Sequence, residues 1–189
     1  GILMRDYKEV VCIAGSHGKT TTTSMTSEIA IAADKNPQVM VGGILPSIGG
    51  VTRIADGELF IAEACEYCNS YHHFSPTIAT VLNIEADHLD FFKDIDDIIC
   101  SFHKFLALVP KHGHVVVNTD DQNVQKAMRG VSANLVSFGI KNPARVMARN
   151  ILYSNARPSF DLVFDGNVLG NISLAVCGEH NLYNALAAT

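Results

Sequence analysis

The amino-acid sequence predicts an α/β fold in which helices flank a mostly parallel, open sheet and a small antiparallel sheet follows near the C-terminus. Three observations support this prediction. Short apolar runs without strict alternation recur between Val10 and Phe138, as expected of strands that helices cover on both faces. Amphipathic helical patterns separate these runs. After Arg145 the apolar residues instead show features of a period of two between turn residues.

The predicted parallel strands are short and rich in Val, Ile and Leu. Their bounds are Val10–Ala14, Leu59–Ala62, Ile78–Leu82, His114–Asn118 and Leu135–Phe138, with a shorter candidate at Val39–Val41. Because helical patterns alternate with these strands, we expect right-handed βαβ crossovers.

Three helices are predicted between the strands. The clearest covers 94–109, where apolar residues are spaced for one buried face and Pro110 ends the pattern. Another begins near Lys19 and ends before the sequence DKNP. The third covers 121–128 and is closed by Gly130 as a C-terminal cap.

The C-terminal region has a different character. The segments 145–153, 159–166 and 171–176 are predicted to form the small antiparallel sheet. The closing sequence GEHNLYNALAAT is typical of a helix start and runs to the last residue. We therefore expect the chain to be one domain of a longer protein.

Composition and charge exclude several classes of protein. The chain has 189 residues, 48% apolar and 17% charged, which is typical of one globular domain. The net charge of −5 without a basic run argues against a nucleic-acid partner, and no apolar stretch is long enough to span a membrane. Five cysteines, with Cys12, Cys100 and Cys177 among apolar residues, predict buried, reduced thiols and a cytoplasmic protein.

The sequence AGSHGKTTTT follows the first predicted strand and opens a helix, which is the context of a phosphate-binding loop (P-loop). Gly15 and Gly18 let backbone N–H groups approach phosphate oxygens, Lys19 carries positive charge and Thr20 offers a hydroxyl to Mg²⁺. The full phosphate-loop pattern requires glycine at position 13, where this chain has isoleucine. The alternative is an ordinary strand-to-helix junction, but the surrounding elements favour nucleotide binding.

Acidic residues and a histidine follow two other predicted strands. The run LFIA leads to Glu63, and TIATVLN leads to NIEADHLD, which contains Asn83, Glu85, Asp87, His88 and Asp90. Because ligands of open parallel sheets bind beyond the carboxyl ends of the strands, these side chains predict a Mg²⁺–ATP site beside the loop. The alternative is that they are solvated loop residues or helix caps, the role we expect of Asp94 and Asp96.

A zinc site is a weaker hypothesis. Cys65 and Cys68 form a C-x-x-C pair, and His72 and His73 follow closely. A single pair without a second is a weak signal, and the histidines would have to fold back tightly to complete a tetrahedron. Packing cysteines are the favoured interpretation.

Four motifs occur in an order and at a spacing that resemble the ATP-binding central domain of the Mur ligases. They are AGSHGKTTTT, EACEYCNS, LNIEADHLD and GEHNLYNALAA, and the resemblance covers essentially the whole chain. The family has three domains, so an N-terminal uridine-nucleotide domain and a C-terminal amino-acid domain are expected outside this chain. The family's acidic segment often reads EADESD, whereas here Cys65 replaces an aspartate while Glu63 and Glu66 are kept.

The resemblance implies an ATP-dependent amide ligase of cell-wall precursor synthesis. In this family ATP phosphorylates a substrate carboxylate, and an amine attacks the resulting acyl phosphate. The histidine-containing loop, the stretch GGILPSIGG and NIEADHLD are most similar to the branch that joins L-alanine to UDP-N-acetylmuramate. The implied ligands are therefore ATP, Mg²⁺ and these two substrates.

The resemblance also implies roles for individual residues. Lys19, Glu63 and His88 match the catalytic positions, and Thr20, Glu63 and His88 match the metal ligands. The nucleotide-binding positions are Gly15, Ser16, His17, Gly18, Lys19, Thr20, Thr21, His180, Asn181 and Asn184. The weaker substrate positions are Gly42, Gly43, Glu66 and Ser70.

Three competing functions are kept open. A related recycling ligase adds a preformed tripeptide to the same sugar nucleotide and has a similar loop. A P-loop NTPase or kinase without ligation predicts a complete phosphate-loop pattern, which Ile13 interrupts. A non-catalytic nucleotide-binding module would not need Lys19, Glu63 and His88 together. We expect the chain alone to show little or no ligation.

Overall fold

Ten strands form one continuous sheet in the computed structural model, which describes residues 3–189. In chain order they are β1 (Glu9–Ala14), β2 (Gln38–Leu45), β3 (Gly50–Arg53), β4 (Leu59–Glu63), β5 (Ile78–Val81), β6 (His114–Asn118), β7 (Asn134–Gly139), β8 (Val146–Ser154), β9 (Arg157–Phe164) and β10 (Asn167–Ser173). Their spatial order is β10-β9-β8-β7-β6-β5-β1-β4-β2-β3. The seven strands from β8 to β2 in this order run parallel to one another. The remaining strands, β3, β9 and β10, pair antiparallel with their neighbours.

Four α-helices cover the two faces of this sheet. They are α1 (Lys19–Ala32), α2 (Ile95–Leu106), α3 (Gln122–Ala127) and α4 (Glu179–Ala188). One apolar core lies between the sheet and α2 with α3, and it contains Phe102 and Phe105. The other lies between the sheet and α1 with α4, and it contains Leu182 and Leu186. Successive residues of β1 enter opposite cores, so the absence of strict alternation in its sequence follows from burial on both faces.

The predicted α/β class is confirmed, with two differences in the sheet. The antiparallel strands do not form a separate sheet, because the start of β8 pairs parallel with β7 through Phe138 and Val146. The sheet also extends at its other edge, where β2 continues to Leu45 and turns back into β3. The glycines of GGILPSIGG lower the strand propensity of that hairpin, so the sequence predicted only its first residues.

The ends of α2 and α3 differ from prediction by a few residues. Asp94 caps α2 as predicted, since its carboxylate accepts a hydrogen bond from Asp97 N at 3.0 Å. Asp96 was predicted to be a cap and is not one. It lies inside the first turn, where its negative charge interacts favourably with the positive end of the helix dipole. The predicted end of α2 at Val109 falls in a tighter turn, where Val109 N bonds to Leu106 O. Gly130 has the expected left-handed φ, but the cap residue of α3 is Met128.

Only one of the three thiols predicted to be buried lies in the core. Cys12 on β1 is buried, and burial raises its pKa to about 12. Cys100 lies on the solvent face of α2 and Cys177 lies between β10 and α4, so both are exposed, as are Cys65 and Cys68. The apolar neighbours of Cys100 in the sequence point to the opposite side of its helix.

This difference in burial predicts the pattern of thiol reactivity. At pH 8 an aromatic disulfide reagent is expected to label the four exposed cysteines of the folded chain, because Cys12 stays protonated and out of contact with solvent. Cys12 should react only after unfolding in guanidinium chloride. Peptide mass spectrometry of the labelled chain tests this, and rapid native labelling of Cys12 would contradict the described packing of β1.

No helix within residues 3–189 is both long and apolar enough to cross a membrane.

Candidate functional site

The loop between β1 and α1 (residues 15–18) depends on two glycines with positive φ. Gly15 has φ of +148°, and a Cβ there would lie 3.0 Å from the Cβ of Leu82. Gly18 has φ of +86° and precedes α1, and a Cβ there would overlap the amide of Asn184. Side chains at either position would be strained, and the bare backbone leaves the free N–H groups at the start of α1 accessible to an anion.

This phosphate loop is braced by the segment that follows β5. His17 N donates to Asn83 Oδ1 at 2.7 Å, and Asn83 Nδ2 donates back to His17 O at 3.0 Å. Ser16 Oγ accepts a hydrogen bond from Glu85 N at 2.9 Å. Asn83 therefore fixes the loop from a neighbouring strand end. The sequence placed Asn83 near the site but gave no sign of this contact.

The hydroxyls at the start of α1 are only partly satisfied, since those of Thr22 and Thr23 are buried without a hydrogen-bond partner among the described residues. Thr20 and Thr21 are half-buried, whereas Thr22 and Thr23 are buried. The hydroxyls one turn later bond back to the backbone, for example from Ser24 Oγ to Thr20 O at 2.8 Å. The predicted metal-binding hydroxyl thus lies in the first turn of α1, beside the loop.

Lys19 forms an ion pair with Glu66 in the interior of the site. Its Nζ lies 3.0 Å from Glu66 Oε1 and 2.9 Å from Oε2, and it also donates to Gly15 O at 2.6 Å. The Lys19 side chain is 15% exposed and that of Glu66 is 2% exposed. Because the carboxylate is almost entirely out of water, the nearby lysine is the cation that offsets the cost of burying it.

Glu66, Asp87 and His88 form a group that could hold a metal ion, with one ligand atom from each lying within 4.8 Å of the others. His88 Nε2 lies 3.8 Å from Glu66 Oε1 and 3.9 Å from Asp87 Oδ2. Glu66 Oε2 is buried, and although Lys19 Nζ lies 2.9 Å away, no well-aligned hydrogen bond reaches it within the described part of the chain. Two carboxylates and an imidazole suit a divalent cation.

Glu63 does not belong to this group, although it was predicted as a metal ligand. Its Oε2 accepts a hydrogen bond from Gly42 N at 2.8 Å, and a Cβ on Gly42 would lie 2.6 Å from that oxygen. A Cβ on Gly43 would lie 3.1 Å from Thr20 Cγ2. The structure therefore places Glu63 and Thr20 beside the two glycines of β2, and places His88 with Glu66.

A cleft of about 420 Å³ opens beside the phosphate loop at the carboxyl ends of β5 and β6. Its lining residues are His17, Gly18, Leu82, Asn83, Asn118, His180, Tyr183 and Asn184. Four of the predicted nucleotide residues thus meet here from opposite ends of the sequence. Asn181 was predicted with them but is buried and does not line the cleft. Its Oδ1 accepts a hydrogen bond from Asn184 Nδ2 at 3.0 Å, so it supports Asn184.

Tyr183 in the cleft wall is fixed by Asp120. Its hydroxyl donates to Asp120 Oδ2 at 2.9 Å. Partial burial tends to raise the pKa of Asp120, but hydrogen bonds from the backbone N–H groups of 140–142 and from Tyr183 lower it below its ordinary value. Burial and the neighbouring carboxylate raise the pKa of Tyr183, so its hydroxyl remains a donor. The sequence did not point to Tyr183 or Asn118, because an aromatic residue on a helix and an asparagine ending a strand are both common.

The C-x-x-C segment does not form a zinc site in the part of the chain that is described. Ser70 Oγ donates to Cys65 O at 2.8 Å, and His72 Nε2 is bonded to Ser101 O at 2.9 Å. The group of potential metal ligands found nearby uses Glu66 and excludes both cysteines. Both cysteines are exposed, so the favoured interpretation that they are packing residues is wrong.

Comparison with known proteins identifies the family. Residues 13–189 match the Mur ligase middle domain. A curated relative from Caldanaerobacter subterraneus subsp. tengcongensis, named UDP-N-acetylmuramate–L-alanine ligase, is 44% identical over the whole chain. The chain spans 41% of the length of that relative.

Two solved structures have the same fold. The UDP-N-acetylmuramate:L-alanyl-γ-D-glutamyl-meso-diaminopimelate ligase of Neisseria meningitidis matches with a TM-score of 0.85 and 29% identity, covering 98% of this chain and 61% of that protein. The UDP-N-acetylmuramate–alanine ligase of Thermotoga maritima matches with a TM-score of 0.83 and 27% identity, covering 99% and 41%. With the family match over most of its length, this chain belongs to the Mur ligases and corresponds to their middle domain.

Proposed function

We propose that this chain is the central, ATP-binding domain of a three-domain ligase that joins L-alanine to the carboxylate of UDP-N-acetylmuramate. An N-terminal domain would bind the uridine nucleotide and a C-terminal domain the amino acid; we call this full-length protein the parent ligase. The observation that carries the proposal is the meeting of Lys19, Glu66 and His88 beside the phosphate loop, in a chain 44% identical to a curated alanine ligase.

The proposed reaction has two steps. The muramate carboxylate attacks the γ-phosphorus of ATP, which forms an acyl phosphate and releases ADP. The amine of L-alanine then attacks the acyl carbon, and the tetrahedral intermediate loses phosphate and a proton to leave the amide. The first step brings one anion towards another, so positive charge around the transferred phosphoryl group is the main requirement.

The phosphate loop and Lys19 supply positive charge from the protein. The free N–H groups at the start of α1 and the helix dipole favour phosphate oxygens at this point. Lys19 is the first residue of α1, and its Nζ is held between loop carbonyls and Glu66. Such a nitrogen is pre-positioned for the β- and γ-phosphates, because its side chain is already ordered and partly desolvated.

Glu66, Asp87 and His88 are the residues that would hold Mg²⁺, with the Thr20 hydroxyl as a further ligand from the loop side. Mg²⁺ bound there would neutralise charge on the phosphate oxygens. Glu66 takes the place of Glu63 in this assignment, because Glu66 lies between Lys19 and His88. Glu63 instead orients the backbone at Gly42.

The cleft lined by His180, Tyr183 and Asn184 would receive the adenosine end of ATP. It is contiguous with the phosphate loop, since His17 and Gly18 line both. An adenine ring needs apolar contact and a polar partner, and the cleft offers Leu82 with the amide of Asn184.

The muramate end of the sugar nucleotide would approach the opposite side of the loop. Gly42 is exposed at the carboxyl end of the parallel part of β2, with Gly43 half-buried beside Thr20, so the backbone there can lie against a ligand. Ser70 is exposed and lies close to Glu66 in the sequence, so it is a candidate contact for the same substrate.

The decisive experiment is phosphate release by the parent ligase with ATP, Mg²⁺ and UDP-N-acetylmuramate. L-alanine is compared with glycine, L-serine and a tripeptide containing L-Ala-D-Glu. We expect release to depend on L-alanine and to be lost in His88→Ala. Release with the tripeptide alone would identify the recycling ligase, and release that ignores every acceptor would identify an NTPase.

The same assay defines what this chain does by itself. Without the two other domains it lacks both the sugar-nucleotide and amino-acid sites of the proposal, so we expect weak ATP binding and no ligation. We place the reaction in the cytoplasm, which is supported by the five cysteines all being free thiols.

A further inference from the structure

Tyr67 links the two segments that carry the candidate metal ligands. It follows Glu66 directly and begins the 3-10 helix Tyr67–His73. Its hydroxyl donates to Asp90 Oδ2 at 3.1 Å, and its ring centroid lies 4.9 Å from that of the His88 imidazole, with the planes inclined at 48°. The side chain therefore spans from the end of β4 to the turn that contains His88.

Tyr67 is also connected to the apolar core. Its ring packs edge-on against Phe91 with a centroid distance of 6.1 Å, and Phe91 packs in the same way against Phe92 at 4.9 Å. Phe92 is buried in the core beneath α2. The position of Tyr67 is consequently set from both sides, by packing at the ring and by Asp90 at the hydroxyl.

The backbone of His88 is held firmly, but its ring is not held by hydrogen bonds. His88 has a left-handed φ of +53°, its N donates to Asp87 Oδ1 at 2.7 Å, and its carbonyl accepts from the next turn of chain. Within residues 3–189 no hydrogen bond reaches either imidazole nitrogen, since the nearest carboxylate oxygens are 3.8 and 3.9 Å away.

A metal-binding histidine is usually oriented by a hydrogen bond from its second ring nitrogen to a carboxylate or carbonyl. His88 has no such partner among the described residues, and its imidazole is 34% exposed. Contact with an aromatic ring also restricts rotation of an imidazole, because two rings with centroids about 4.5–7 Å apart pack favourably in a limited set of orientations. Tyr67 makes that contact here.

We propose that Tyr67 is a positioning residue that sets the orientation of the His88 imidazole for a divalent cation and fixes its distance from Glu66. This inference rests on the proposed role of Glu66, Asp87 and His88 as the metal site. The ring of Tyr67 orients His88, and the hydroxyl anchors the ring to Asp90.

The test measures Mn²⁺ binding to the 189-residue chain by electron paramagnetic resonance. The variants are Tyr67→Phe, which keeps the ring, Tyr67→Ser, which removes it, His88→Ala, and Tyr153→Ser as a control on β8. We expect Tyr67→Ser to weaken Mn²⁺ binding about tenfold, as loss of an orienting contact does. Tyr67→Phe should lose about threefold or less, and Tyr153→Ser should bind like the wild type.

A spectroscopic readout separates orientation from stability. Spin-echo modulation from the imidazole nitrogen of bound Mn²⁺ should be present in the wild type and in Tyr67→Phe, and reduced in Tyr67→Ser. Normal affinity and modulation in Tyr67→Ser, with binding lost in His88→Ala, would reject the positioning role and leave the metal site intact. If His88→Ala bound Mn²⁺ like the wild type, or if the wild type did not bind Mn²⁺, both the proposed metal site and the positioning role of Tyr67 would be rejected.

Discussion

Replacing Lys19 with alanine is expected to lower kcat/KM of the parent ligase by about 10³ and also to destabilise this chain. The kinetic loss follows from removing the cation that would face the transferred phosphoryl group in the proposed reaction. The loss of stability follows from Glu66, whose side chain is 2% exposed and would keep a buried charge without a partner. Removing one member of a buried ion pair costs about 3–5 kcal/mol of the free energy of unfolding.

A second substitution separates these two effects. In Lys19→Ala/Glu66→Gln the buried charge is gone, so the free energy of unfolding, measured with urea, should return to within about 1.5 kcal/mol of the wild type. Ligation by the double variant should be no faster than ligation by Lys19→Ala. Lys126→Ala on α3, where the lysine is exposed and contacts only an amide oxygen, serves as the control and should change neither quantity. A stable, active Lys19→Ala variant would remove the loop from the mechanism.

Replacing Gly18 with alanine is expected to disrupt nucleotide binding and folding together. The new methyl group would require a left-handed φ of +86° and would overlap the buried amide of Asn184. Left-handed backbone costs about 1–2 kcal/mol for a residue other than glycine, and forced overlap in a packed region adds about 1–3 kcal/mol. Relief by moving α4 would distort the cleft, so we expect ATP affinity to fall at least about tenfold.

Gly130→Ala is the matched control for this prediction. Gly130 has φ of +79°, close to that of Gly18, but a Cβ there would have no heavy atom within 4 Å. The strain alone should therefore lower the free energy of unfolding by about 1–2 kcal/mol and leave ATP affinity unchanged. Calorimetric titration with an ATP analogue compares the two variants. Equal effects of the two substitutions would show that the close approach of Gly18 to Asn184 contributes neither to ATP affinity nor to the free energy of unfolding.

The parallel half of the fold was predictable because each strand has a local signal. β6 was predicted with its observed bounds, since HVVVN is a β-branched run between turn residues. The hairpin of β2 and β3 was not, because its glycines lower the strand propensity, and Gly42 among them allows the close approach of Glu63. Likewise, β7 and β8 belong to one sheet because of a pairing that no local sequence pattern indicates.

The site was predictable where a role depends on a motif and not where it depends on distance. Lys19, His88 and the helix carrying Asn184 follow from short patterns. Which of Glu63 and Glu66 lies beside Lys19 does not follow from the sequence, because both belong to one acidic segment and the turn after β4 brings Glu66 to Lys19. Asn118 and Tyr183 were not singled out, and the contact of Asn83 with His17 was not predicted, because these positions depend on neighbours distant in the chain.

The contact between Gly18 and Asn184 joins the phosphate loop to a helix that lies far from it in the sequence. During synthesis the phosphate loop leaves the ribosome well before α4, the helix that completes the cleft. Because contacts between residues so distant in the chain form slowly, we expect α4 to dock late in the folding of this domain. A newly made chain would therefore pass through a state that has its phosphate loop but no cleft for adenosine, and ATP, by binding only after α4 has docked, would act as a ligand that stabilises the finished fold.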